Sequence, residues 1–139
     1  MIKVCAELAP EIAGRLSRTH GWRVTRVGTR VRNPLLGMPD AWEQQVLSEF
    51  AERAGKGEAF PGMTRSELVT EPGGQYYRFM KAIAVQPQCL LCHGPSDQIS
   101  DEIRTVLKNQ YPFDAATGYK AGELRGAVSI KQLIPDRTR

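Results

Sequence analysis

Cys89, Cys92 and His93 fall within the run QPQCLLCHG, which pairs two thiols and an imidazole at the spacing Cys-x-x-Cys-His. Thiols three positions apart suit addition to the two vinyl groups along one edge of a porphyrin, and the imidazole that follows reaches the iron, so the pattern is the attachment signature of c-type heme. Three other chemistries use part of it. A redox dithiol needs only the cysteines and sits at a helix start in a βαβ unit, a setting this strand-rich chain does not supply. Zinc takes four ligands; Cys5, Cys89, Cys92 and a histidine would make Cys₃His, but no second Cys-x-x-Cys or His-x-x-x-His accompanies them. A disulfide, or a pair of buried thiols, leaves His93 unexplained. The expectation is covalent heme c on Cys89 and Cys92, with His93 on the iron.

The opposite axial position has five candidates by chemistry: Cys5, His20, Met38, Met63 and Met80, since thiolate, imidazole and thioether all serve. Met38 and Met63 stand beside Gly and Pro in loop-like sequence, whereas Met80 lies in a strand where packing is the ordinary role. His20 precedes Gly21 at a helix end. Cys5 shares an apolar stripe with Leu8 and Ile12, where a small buried hydrophobe is the plain alternative. Heme propionates call for cationic partners, and Arg23, Arg26, Arg30, Arg32 and Arg78 are available, with Tyr76, Tyr77 and Phe79 as candidate walls.

The elements that must position these residues follow from periodicity. Ile2, Cys5, Leu8, Ile12 and Leu16 recur at offsets of 3 or 4, an amphipathic helix over about residues 1–20 that Pro10 must kink or restart. Trp22 to Arg32 alternates as a strand whose phase slips near Gly28, as at a bulge, with Arg23, Arg30 and Arg32 on its other face. Asp40 and Glu43 spell a capping box for a helix striped by Trp42, Val46, Leu47 and Phe50 and ended by Gly55 and Gly57. SELVT and QYYRFMKAIAV flank EPGG, an antiparallel hairpin. A third helix carries Ile99, Ile103, Val106 and Leu107, capped by Ser96 or Asp97 and stopped by Pro112. FDAATGYKAGELRG reads as a loop, and GAVSIKQLI as the last strand. Neighbouring strands interrupted by helices predict an α+β domain with an antiparallel sheet.

A length of 139 residues suits one domain, 1–139. Residues 1–34 carry seven basic and two acidic side chains, 7 − 2 = +5, and the rest sum to 12 − 13 = −1. The arginines alternate with apolar residues instead of forming a block, which predicts a solvated strand face and no nucleic-acid partner. No apolar run is long enough to span a bilayer, and MIKVCAELAPEIAG lacks the apolar core of a signal peptide. Because thioether formation belongs outside the cytoplasm, the expectation is a periplasmic or extracytoplasmic protein whose leader or anchor is absent from this chain. No Ser-His-Asp set, paired carboxylates or phosphate-binding glycine loop is present, so no enzyme is expected.

The segments KVCAELAPEIAGRLS, GWRVTRVGTRVRNPLLGMPDAWEQQVL, YYRFMKAIAVQPQCLLCHG and YPFDAATGYKAGELRGAVSI, in that order, resemble the PAS-like c-type heme domains of bacteria, a family once catalogued only as a domain of unknown function. The resemblance implies a PAS-like antiparallel sheet flanked by helices and an extracytoplasmic sensory or redox module. It matches Cys89 and Cys92 to the thioether cysteines, His93 to the proximal ligand and Cys5 to an N-terminal axial cysteine. The implied partners are a redox partner or a small gas at the heme, and a membrane-bound signalling protein. Sensor and monoheme electron carrier are the two functions to separate, and the sixth ligand discriminates them: methionine suits a carrier, an anionic thiolate a sensor.

Overall fold

The computed structural model describes residues 4–135; Ile2, of the expected helical stripe, and Lys3 lie outside them. Val4–Leu8 forms a π-helical turn that hands over to helix α1, Ala9–His20, with Pro10 in its first turn. Proline has no N–H to give and its ring crowds the preceding turn, so the helix restarts there. Strand β1 follows, Arg23–Gly28, then the short helix α2, Pro34–Gly37, and the long helix α3, Ala41–Gly55. Strands β2, Thr64–Glu71, and β3, Gly74–Ala84, form the expected hairpin. A 3₁₀ turn, Pro87–Cys89, leads into helix α4, Leu90–His93. Helix α5, Asp101–Gln110, and strand β4, Leu124–Leu133, complete the order.

The four strands make one antiparallel sheet in the order β1-β4-β3-β2, so the chain is α+β with an antiparallel sheet flanked by helices. Val27, Ala127 and Ala82 lie side by side across β1, β4 and β3 and share a face with Met80. Helix α3 covers that face with Val46, Leu47 and Phe50, and Met63 joins the same cluster. The remaining sheet face is where β1 meets α1 and the Cys-x-x-Cys-His segment. At the β1–β4 border the two backbones close in tightly: a Cβ on Gly126 would lie 2.0 Å from the Val27 carbonyl oxygen, so this register tolerates no side chain there.

Two expectations need correction. The strand ends at Gly28, and its register with β4 runs without interruption from Arg23 to Gly28. Beyond Gly28 the chain bonds to partners distant in sequence: Ala115 donates to the Val31 carbonyl (2.9 Å), and the Thr29 amide to that of Arg125 at the start of β4 (3.1 Å). The register shift lies across the sheet, between Ile83 and Ala84, whose partners are Gly126 and Leu124, so Arg125 is the extra residue. In the third helix the cap is Ser100, whose hydroxyl accepts from the Ile103 amide at 3.3 Å; Ser96 and Asp97 are taken up by a 3₁₀ turn.

The capping box of α3 is formed as expected, Asp40 accepting from the Glu43 amide (2.8 Å) and Glu43 from the Asp40 amide (2.9 Å). It also anchors α3 to the sheet. Arg78 of β3 is 1% exposed and donates to Asp40 (2.8 Å) and Glu71 (3.3 Å). Burial pushes the Asp40 carboxyl upward, but the Glu43 amide and the Arg78 guanidinium outweigh it and hold it below its ordinary value of 3.8. A depressed carboxylate contributes stability above its unfolded pKa and loses it as pH falls through the folded one. Asp40→Asn keeps the cap and removes the charge, so at neutral pH it should lower urea stability by about 1 kcal/mol, solvent screening limiting the effect. The gap to wild type should close as pH drops below 3.8.

Candidate functional site

Helix α1, β1, α2 and the Cys-x-x-Cys-His segment enclose a cavity of about 540 Å³, within the roughly 300–1,000 Å³ of small-molecule and cofactor sites. One wall is Cys5, Ala6, Pro10, Ala13 and Gly14; the floor is β1 with Ile83 and Gly126. Cys89, Cys92 and His93 form the opposite rim. Short side chains on α1 leave this room. The larger apolar residues of the same stretch, Leu8 of the π-helical turn and Ile12 and Leu16 of α1, turn to solvent. Cys5 thus does not share their face as the periodicity suggested; the π-helical turn that carries it shifts its phase. It is exposed, and its carbonyl accepts from Arg26 at 3.0 Å.

The pocket separates the five axial candidates. Of these only Cys5 lines it. Met63 and Met80 are packed under α3, at 1% and 0% exposure. Met38 faces solvent, and His20 stacks on Trp22 with ring centroids 4.6 Å apart. Of the arginines, Arg26 and Arg32 line the pocket while Arg23, Arg30 and Arg78 do not, and Tyr76, Tyr77 and Phe79 are not among its walls.

His93 is held by the loop that reads FDAATGY. Its backbone carbonyl accepts from the Tyr119 amide (2.9 Å), and its Nδ1 lies 2.8 Å from the Ala116 carbonyl oxygen. A carbonyl has no proton to give, so Nδ1 carries the hydrogen and Nε2 keeps a free lone pair. Burial, joined by the positive charge of Arg32, pushes the imidazole down to about 4, leaving it neutral at physiological pH. Burial likewise raises the Cys92 thiol, with Arg32 pulling the other way, so it stays protonated. Cys89 and Cys92 are not joined to each other, and Cys5 is also free.

Arg32 is the fastener behind this arrangement. It donates to Asp114 at 3.1 Å, to the Ala116 carbonyl at 3.0 Å and to the Cys92 carbonyl. Tyr119, 1% exposed, bonds Thr29 (2.7 Å) and the Arg30 amide (2.9 Å) and meets the His93 ring edge-on at 6.1 Å. Reading FDAATGYKAGELRG as a plain loop missed Asp114, Ala116, Tyr119 and Arg125. The available signal was glycine within the last strand, which marks a bulge or a close backbone approach.

Among the described residues no three His, Cys, Asp or Glu side chains converge to hold a metal ion, so the four residues of a Cys₃His site surround a cavity instead of meeting at a point. The described helices include none long and apolar enough to cross a membrane. A four-stranded antiparallel sheet with helical walls about a cavity, thiols and a neutral imidazole on its rim, makes a small α+β domain. The chain belongs to the Tll0287-like family, whose model matches residues 2–132. It is similar in structure to the cyanobacterial heme-protein Tll0287, with 28% identity and a TM-score of 0.65, over 94% of this chain and 73% of that one. No curated protein matches it.

Proposed function

We propose that this chain is a covalent heme c module of the bacterial cell envelope, working as a redox or gas sensor and not as an enzyme. The observation that carries the reading is the gathering of Cys5, Cys89, Cys92 and His93 around one apolar cavity. The residues fit the group. Two unpaired thiols stand at vinyl-addition spacing, and the imidazole beside them is neutral, with Nε2 free because Ala116 fixes Nδ1–H. When bound, the heme would supply reversible one-electron and ligand-exchange chemistry at its iron.

The chain's own residues supply the rest. Cys89 and Cys92 would tether the group, His93 and Cys5 would supply the side chains that hold its iron, and Ala13 and Gly14 of α1 keep the cavity wide. Release of the Cys5 sulfur would free the π-helical turn and with it α1, whose Ile12 and Leu16 already face solvent. A two-state element biased from the site is what signalling requires, and a membrane-bound partner would read it. The electron-carrier alternative, with methionine opposite His93, has less support because Met63 and Met80 are committed to the core. A heme-protein relative adds to the case.

Protein matured in an exporting host should carry a pigment that resists acid-acetone extraction, since thioethers are covalent. The double variant Cys89→Ala/Cys92→Ala should yield either colourless protein or a pigment that extracts fully. Clean extraction from the wild type would overturn the c-type reading.

A further inference from the structure

Three guanidinium groups, those of Arg26, Arg32 and Arg125, line a cavity that is otherwise mainly apolar. Only Arg32 is neutralised, by Asp114. Arg26 and Arg125 make no ion pair among the described residues, and their guanidinium groups donate to the carbonyls of Cys5 (3.0 Å) and Arg30 (3.1 Å) respectively. Each guanidinium has five N–H donors, so both keep donors to spare. Arg26 is exposed, whereas Arg125 is half-buried beside apolar surface, where a cation without counter-charge is costly unless something anionic completes it.

Arg125 owes its position to the irregularity in β4. Because Ile83 pairs with Gly126 and Ala84 with Leu124, Arg125 is the unpaired extra residue. The insertion reverses the in–out phase of the strand end: Leu124 joins the cluster under α3, and Arg125 reaches the cavity. Bulges re-aim side chains in this way and are over-represented beside functional sites. Gly28 leaves the space it needs, since a Cβ there would lie 2.6 Å from Arg125 Nη1. Its guanidinium also lies 5.4 Å from the centre of the Tyr119 ring, which holds it without neutralising it. Burial, with the charges of Arg32 and Arg26 adding to it and Tyr119 opposing, lowers the pKa of Arg125, the sign of a cation short of counter-charge.

The geometry points to Arg125 and Arg26 as the anchors for a ligand's carboxylates: the cavity takes an apolar ring system bearing two carboxylates, and these two arginines bind them. The inference rests on the heme reading above, where those groups are the propionates, and it adds Arg125 to the site. The test uses the full chain without heme, titrated with hemin and with hemin dimethyl ester and followed by absorbance. Wild type should bind hemin roughly tenfold or more tighter than the ester, as charge-assisted hydrogen bonds imply. Arg125→Gln and Arg26→Gln should each lose much of that preference, Arg125→Lys less. Thermal melts show whether each variant is folded, and the wild-type comparison needs no variant at all. Equal binding of acid and ester by wild type, or an undiminished preference in both glutamine variants, would overturn the anchors while leaving the heme reading intact. Failure of wild type to bind either compound would overturn the anchors, while the extraction test above decides the heme reading on its own.

Discussion

Cys5→Ala is expected to abolish the low-spin, thiolate-type spectrum of the oxidised protein and to raise its reduction potential. An anionic sulfur stabilises ferric iron, so its loss favours the reduced state. Axial ligands tune such potentials over about 0.8 V, and a shift on the order of 0.1 V is the expected scale. The control is Met80→Ala. That side chain is 0% exposed under α3, so its truncation should cost about 2–5 kcal/mol of stability and leave the oxidised spectrum unchanged. The opposite pattern, with Cys5→Ala silent and Met80→Ala altering both spectrum and potential, would replace the sensor with a His/Met electron carrier.

Arg32→Met should produce the larger of the site-centred stability losses. The Arg32 and Asp114 side chains are only 12% and 13% exposed, and removing one partner leaves a mostly desolvated carboxylate together with the Cys92 and Ala116 carbonyls. Breaking a buried pair costs about 3–5 kcal/mol; slight solvent access puts the estimate near the lower end. The loss should show as a reduced urea midpoint and as faster amide exchange at Ala116 and Tyr119, whose loop holds the His93 ring. Arg32→Lys keeps the charge but not the planar fork, and should recover only part of the loss. Asp114→Asn added to Arg32→Met should also recover part, because it removes the stranded charge. A urea midpoint unchanged in Arg32→Met would show that the fastener holds nothing.

What could be read from residues alone was what neighbouring residues decide. The α3 capping box and the turn at Glu71–Gly74 each complete within a few positions, and each is found where its pattern put it. The misses come from contacts made across the fold. Thr29 to Arg32 alternate like a strand, yet their partners are residues of the 114–119 loop. Nothing local separates Met80 from Cys5 as a ligand; the separation is that one lies under α3 and the other on the cavity wall. Arg125 could be placed only as far as Gly126 hints at a bulge, since a bulge is a property of two strands and only one of them contains the arginine.

The long reach of Arg32 also bears on the order in which the molecule assembles. It joins Cys92 across 60 positions and Asp114 across 82, and Thr29 meets Tyr119 across 90. Contacts so far apart in the chain carry the greatest loop-closure cost and form after local ones. The β2–β3 hairpin and α3 need no such reach, so one half of the protein can condense while QPQCLLCHG is still open to other molecules. In a nascent chain, any modification of Cys89 and Cys92 would find them most accessible in that interval.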